Sequence, residues 1–320
     1  MKIYYFYQHL SDHYLSVQKE RITDAETQLE FIWIDCTRID VVNRVETWQK
    51  EIYQHAHMSL NEFHVKDILN LEHPCSFDTM DEYNLLIFRK LITPDDEIGT
   101  DEQHEQMFGL ATTPVSFIIT PQVLVTVREQ GNKVLQNYIS RIELNFIHSN
   151  REQNKSRKLP ASPFDLSLRL LNSMVDGYLD LRVPLTRRVG FWQQELLQGR
   201  RRFKKWDQLL QESISFQQVE DLCEEQIDTL QEFRDEIIDN YPHAKGKKKS
   251  ERLDILLVRI NDLISHVERI QKHIVRLRAS IQATIDLHFS AIANQTNENM
   301  RILAIITAIF APLSLLTGIY

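Results

Sequence analysis

The carboxyl-terminal part of this chain restricts its fold more than any other stretch. From Leu253 the apolar positions read Leu253, Leu256, Ile260, Leu263, Val267, Ile270, Ile274, Leu277 and Ile281. Steps of three and four alternate over about four heptads, the seam of helices packed side by side. No Pro or Gly lies between Lys247 and Ala311. The spacing predicts one helix from near Lys249 to Tyr320, about 72 residues and about 108 Å at 1.5 Å per residue. Such a seam is covered either by a second copy or by the chain's own helices folded into a hairpin. Self-association is the expectation, because the other helices are short; the intramolecular hairpin is the alternative, and both can hold on different faces.

The same helix ends on Ile302 to Tyr320, a run without a charged residue. The whole chain has a mean hydropathy of -0.34, so this run stands apart. It approaches the roughly 20 apolar residues of a membrane helix, in which Pro312 and Gly318 are tolerated. A core helix cut at Pro312 is the alternative. Arg301 stands at the inner boundary, as positive-inside charge bias prefers.

Carried past Ile281, the helical spacing meets Asp286, Ala293, Asn297, Met300, Leu303, Thr307, Ala311, Ser314 and Gly318. A polar stripe in a membrane helix faces a partner or a water-filled path. Around an axis of several copies it lines a pore, with Asp286 as a carboxylate ring at the mouth and Asn297 as an amide ring inside. Such oxygen-lined paths suit Mg²⁺, which gives up its waters reluctantly. The competing reading has Asp286 and Asn297 merely capping and spacing helices, and the pattern alone leaves the two open.

Upstream, residues 1–158 read as a mixed α/β domain. "KIYYFYQ", "EFIWIDC", "NLLIFRKLI" and "MFGLA" are strand-like runs, and "PVSFIITPQVLVTVRE" is a hairpin turning at Pro121-Gln122. "RIDVVNRVETWQKEIYQH" and "NKVLQNYISRIELNFIHS" have helical spacing. After a polar linker, residues 159–247 form a helical region with Ser162 as N-cap and Pro163 at the first helical position. Pro184 is expected to kink its first helix, and Gly199 to divide the region. The stalk helix then covers 248–301 and the first membrane helix 302–320. The fold class is α+β.

Several functions are excluded or weakened. A net charge of -8 argues against nucleic-acid binding, which needs excess Lys and Arg. Three scattered cysteines, Cys36, Cys75 and Cys223, form no disulfide framework and fit a reducing compartment. "MKIYYFYQHL" is too polar for a secretory signal, which keeps the amino terminus in the cytosol. No phosphate-binding or metalloprotease motif is present, and an enzyme is the weakest reading. His55, His57, His73 and Cys75 lack zinc-site spacing. "GRRRFKKW" and "KGKKK" read as solvated helix ends or partners of the acidic stretch after Val219, with anionic lipid as the sharper alternative.

"NQTNENMRILAIITAIFAPLSLLTGIY" resembles the first membrane helix of CorA-type magnesium transporters, and the sequence stops where that family continues with Gly-Met-Asn, as a truncated chain would. "NEFHVKDILNLEHP", "EFIWIDC" and the hairpin are similar to further family segments, with Val65 and Lys66 departing from the pattern. The resemblance implies a funnel-shaped homopentamer in the inner membrane, multi-pass, with the amino-terminal domain in the cytoplasm. It implies a divalent-cation channel carrying Mg²⁺ and gated by intracellular Mg²⁺. Asn297, Met300, Leu303, Thr307, Ala311 and Ser314 fall on pore-lining positions, with Asp286 below them. Ala311 stands where the family often has a bulky residue, which moves weight for a narrow constriction to Met300 and Leu303. Asp95 and Asp262 match the carboxylates that hold a regulatory cation between subunits, with Asp96 and Glu97 as assistants. Zn²⁺, Co²⁺ and Ni²⁺ are alternative cargo. The rivals are a zinc transporter of the same superfamily and a membrane-anchored coiled-coil scaffold that transports nothing.

Overall fold

The computed structural model describes residues 1–10, 15–22, 24–92, 96, 111–147, 159–198, 203–240 and 247–319, without the side chains of 144–147, 198, 240, 247–250, 315–317 and 319. The chain divides into two compact units, residues 1–181 with 218–272, and residues 182–217 with 273–320.

The first unit is built on a seven-stranded sheet in the order β2-β1-β3-β7-β6-β5-β4. The strands are β1 (Lys2–His9), β2 (Leu15–Gln18), β3 (Thr27–Thr37), β4 (Ser76–Thr79), β5 (Asn84–Leu91), β6 (Thr112–Ile119) and β7 (Val123–Arg128). β3 and β7 pair in parallel, and the other neighbours are antiparallel. The expected hairpin forms at Pro121-Gln122. Thr120 Oγ1 accepts the N–H groups of Gln122 at 3.2 Å and Val123 at 2.8 Å, which closes the turn. "MFGLA" lies outside the described residues except for Ala111.

Both faces of the sheet are buried, which is why its strands read as nearly continuous apolar runs. One face carries Tyr5, Ile32, Ile34, Leu85, Ile87, Ile118, Val125 and Val127 against α1 (Arg38–Val42), α2 (Val45–Ala56) and α3 (Glu62–Leu69). These helices have local punctuation: a Thr37–Asp40 capping box opens α1, His57 ends α2 at φ 53°, and the Asn61 side chain accepts the Phe63 N–H at 2.9 Å to start α3. The alternate residues are aromatic: Phe6 stacks on Phe31 with centroids 4.2 Å apart, and Tyr4 lies 5.3 Å from Trp33. α4 (Lys133–Ile147) and α5 (Pro163–Asp180) follow in the chain, and α5 packs on the central strands. Ser162 caps α5 as expected, accepting the Asp165 N–H at 3.1 Å, with Pro163 in the first turn.

Pro184 does not kink α5. That helix ends at Asp180, and Pro184 stands in the first turn of α6 (Arg182–Gln198), where the missing N–H has no intrahelical partner to lose. α7 (Trp206–Asn240) and α8 (Lys247–Ile319) contribute to both units. Pro312 is accommodated inside α8.

The seam of α8 is covered within one chain. Leu256, Ile260, Leu263, Val267 and Ile270 are buried in the first unit, where Arg259 pairs with Asp165 of α5 at 2.7 Å and Gln271 donates to Glu224 of α7 at 3.2 Å. In the second unit Leu277 and Ile281 are buried, and α6 meets α8 through Gln193 and Ser280 at 2.8 Å. The seam therefore takes the hairpin alternative, and its length by itself requires no second copy.

Candidate functional site

The seam does not run on into the polar stripe. It continues through Thr284 and His288, both buried: Gln193 donates to Thr284 Oγ1 at 3.3 Å, and His288 Nδ1 lies 2.8 Å from the Leu196 carbonyl. Asp286 faces about 160° away around the helix at 100° per residue and is exposed, with the Gln282 amide donating to it at 3.1 Å. Sequence spacing crossed from one face to another in the step of five from Ile281 to Asp286.

From Phe289 onward α8 is exposed almost without interruption. Asn297, Thr307, Ala311 and Ser314 are all exposed, and Met300 and Leu303 are 65% and 64% accessible. The stripe residues fall within a sector of about 120°. The Thr307 hydroxyl donates to the Leu303 carbonyl at 2.8 Å and the Ser314 hydroxyl to that of Ala311 at 3.0 Å. With their protons committed to the backbone, these hydroxyls turn oxygen lone pairs outward, and Asn297 adds an amide. Oxygens of this kind suit hard divalent cations and their hydration shells. Ile302, Ile305, Ile306, Ile309, Phe310 and Leu313 are exposed around the stripe. Among the described residues, no helix is long and apolar enough to cross a membrane; the uncharged run also includes the undescribed side chains of 315–317 and 319, and Tyr320.

The regulatory candidates separate clearly. Asp262 is 63% accessible, and His266 Nε2 lies 3.5 Å from its Oδ1. A carboxylate so exposed and so weakly paired can accept a hard cation. Asp176 of α5 belongs to the same neighbourhood: burial raises its pKa above the ordinary carboxylate value, His266 opposes this, and Asp180 and Asp262 add to it. Asp176 was missed in the sequence, although Asp176 and Asp180 are one helical turn apart. Asp95 and Glu97 lie outside the described residues. Asp96 is described: one of its oxygens accepts the Lys133 N–H at 2.8 Å and the other pairs with Lys90.

His55, His57, His73 and Cys75 form no centre: among the described residues no group of three or more His, Cys, Asp or Glu side chains is placed to hold a metal. Burial pushes the Cys36, Cys75 and Cys223 thiols up to about 12, away from thiolate chemistry.

The fold, a two-faced α/β sheet followed by long helices, the last ending in an exposed uncharged run, is similar to that of several solved structures. The CorA magnesium transporter of Methanocaldococcus jannaschii matches with a TM-score of 0.61 at 16% identity, over 100% of this chain and 87% of that one. The full-length CmaX protein matches at 0.59 and 14% identity, over 98% and 85%. The ZntB cytoplasmic domain of Vibrio parahaemolyticus matches at 0.54 and 13% identity, over 93% and 100%. These likenesses establish the fold. The sequence goes further: residues 29–320 match the model of the CorA-like Mg2+ transporter protein family, and the chain belongs to that family. A curated relative, the cobalt/magnesium transport protein CorA of Thermotoga maritima, is 23% identical over 311 residues, 94% of this chain and 77% of the relative.

Proposed function

We propose that the protein conducts Mg²⁺ across the inner membrane as a homopentamer, with its amino-terminal domain in the cytoplasm. In this reading residues 302–320 are the first membrane helix, 248–301 the stalk, and Asp286, Asn297, Met300, Leu303, Thr307, Ala311 and Ser314 line the path. The observation that carries it is the change along α8 from a buried seam ending at His288 to an exposed oxygen-bearing stripe beyond it. Apolar residues flanking the stripe are equally exposed. Membership of the CorA-like family supports the same reading.

Asp262 and Asp95 are proposed to meet across neighbouring subunits with Mg²⁺ between them. Without the cation the carboxylates repel, and with it the closed arrangement is favoured. At ten times Kd each site contributes about 1.4 kcal/mol. Five acting together reach about 7 kcal/mol, above the roughly 5.5 kcal/mol that swings a two-state equilibrium from 1:99 to 99:1. Intracellular Mg²⁺ would then close its own entry path. Zn²⁺, Co²⁺ and Ni²⁺ are alternative cargo, to be separated by uptake assays.

The test is flux through the full-length protein in liposomes. Asn297→Leu removes an amide that meets the hydrated ion, and is expected to depress divalent flux strongly while the cytoplasmic domain stays folded. Flux equal to the parent's would remove Asn297 from the path. Absence of any divalent flux in the parent would favour a scaffold, and a monomer or dimer in detergent would count against the pore. For regulation, Mg²⁺ is expected to protect the parent from protease, and Asp95→Lys with Asp262→Lys to abolish that protection.

A further inference from the structure

Within the second unit α6 and α8 run side by side in the same sense: Thr186 Oγ1 lies 3.1 Å from His273 Nε2, Gln193 donates to Ser280 Oγ at 2.8 Å, and the Leu196 carbonyl meets His288 Nδ1 at 2.8 Å. α6 ends at Gln198 and α7 begins at Trp206, so the end of α6 and the start of α7 fall at the level of His288 and Phe289, toward the uncharged run. Phe203 is held there by other rings. Its centroid is 4.8 Å from that of Trp206, 6.1 Å from His288 and 6.4 Å from Trp192, and Trp206 stacks on Phe289 at 5.3 Å. This packing leaves large apolar groups in view: Phe191 and Phe289 are 50% and 54% exposed, and Leu197 is 53% exposed. Lys204, next to Phe203 in the chain, is exposed. Lys205 Nζ lies 5.5 Å from the Phe191 ring centre and pairs with Glu195 at 2.8 Å. The sequence from residue 199 to Trp206 reads GRRRFKKW, with five cations and no acid.

We propose that Phe191, Phe203, Lys204, Lys205 and Phe289 form a patch that docks on the cytoplasmic membrane surface through anionic phospholipid headgroups. The inference rests on the reading of residues 302–320 as a membrane helix. Exposed aromatic rings among basic side chains are the composition of a membrane–water interface. A basic cluster near the cytoplasmic end of a membrane helix is drawn to anionic lipid. The bland alternative, basic side chains paired with the chain's own acids, accounts for Lys205 through Glu195 but for neither exposed ring. Distance sets the strength. From Phe289 to Ile302 α8 rises about 20 Å, and the headgroup layer occupies about 5–8 Å of that. The remaining gap of about 12–15 Å is little more than one Debye length at 0.1 M salt, before the reach of the basic side chains is counted. The contact is therefore peripheral, and it depends on salt and on lipid charge. A tip held to the surface braces the second unit against tilting.

The experiment uses the full-length protein in liposomes, with an environment-sensitive dye on Gln208→Cys, an exposed position in the first turn of α7. Cys36, Cys75 and Cys223 are buried and leave the dye to the new thiol. Quenching by a headgroup-spin-labelled phospholipid is compared between vesicles of phosphatidylcholine alone and vesicles with about 30% phosphatidylglycerol. Quenching is expected to be roughly twofold stronger in the anionic vesicles, and about 0.5 M salt to remove the difference. Lys204→Glu with Lys205→Glu is expected to cut the difference by at least about half at an unchanged melting temperature. Phe191→Ser also reduces it, and carries the test if the charge variant does not fold. Equal quenching in the two kinds of vesicle overturns the proposal. A loss in the charge variant that is the same in neutral and anionic vesicles also overturns it, because an acidic protein face would then cover the patch. A second dye, on Ile309→Cys, separates the docking from the reading beneath it. A dye at 309 shielded from aqueous iodide, with no effect of lipid charge at 208, sinks the docking alone. A dye at 309 open to iodide sinks the membrane helix, and the docking with it.

Discussion

Asp35→Leu is expected to destabilise the first unit by about 3–5 kcal/mol, the cost of breaking a buried ion pair by removing one partner. Asp35 and Arg128 are 3% and 4% exposed. The guanidinium forks onto the carboxylate, Nε donating to Oδ1 at 3.1 Å and Nη2 to Oδ2 at 2.9 Å. Thr126 Oγ1 also donates to Oδ1, at 2.9 Å, and Trp33 Nε1 donates to Thr126 Oγ1 at 3.1 Å. With leucine at 35, Arg128 is left charged under the helices, without its carboxylate. Asp35→Leu combined with Arg128→Met removes both charges and leaves chiefly the Thr126 hydroxyl to find another acceptor, a loss of about 1 kcal/mol. The double variant should therefore be about 2–4 kcal/mol more stable than Asp35→Leu alone, and the two single losses should sum to clearly more than the loss of the double. Urea unfolding of the detergent-solubilised protein, followed by circular dichroism and Trp fluorescence, measures all four corners. Additive losses in the two single variants would refute the argument, because they would mean that neither charge depends on the other.

Asp176→Asn is expected to raise the melting temperature near pH 7 and leave it unchanged near pH 3. Burial, Asp180 and Asp262 raise the Asp176 pKa against the opposing pull of His266, so the fold prefers the protonated carboxyl. That preference is present below the unfolded-state pKa and is lost as pH rises through the higher folded value; thermal melts across the pH range check the sign. Cys36, Cys75 and Cys223, buried and raised to about 12, are expected to resist a thiol reagent in the native protein and react fully after unfolding, read as thiols titrated per chain.

The strands most legible in the sequence were those buried on both faces. β1, β3, β5 and the β6–β7 hairpin are aromatic and β-branched runs whose every residue must be apolar or paired. β2 and β4, four-residue strands at the sheet edges, carry too few positions to stand out. Periodicity located the α8 seam but could not say what covers it, since three-four spacing is the same against a second copy or against the chain's own helices. The end of the seam was hidden because Thr284 and His288 are polar, and their burial depends on Gln193 and on a carbonyl of α6 far away in sequence. Lys90 was equally hidden. A lysine in a strand reads as solvated until Asp96, six residues on, supplies its counter-charge.

The seam and the stripe of α8 share one helix and look in different directions, and this limits how the helix can move. Turning α8 about its own axis by one residue, about 100°, would carry Leu256, Ile260, Leu263, Val267, Ile270, Ile274 and Ile281 out of burial together. At about 1.5–3 kcal/mol for each large aliphatic side chain, spinning the shaft is far costlier than inclining it. Within the second unit the heading of Asn297 and Met300 is set by Ile274, Ile281 and His288, several turns back, as a key's bit is aimed by the hand that holds its bow. Displacements of the stripe are therefore expected to be tilts and gentle bends, with the azimuth of each residue conserved.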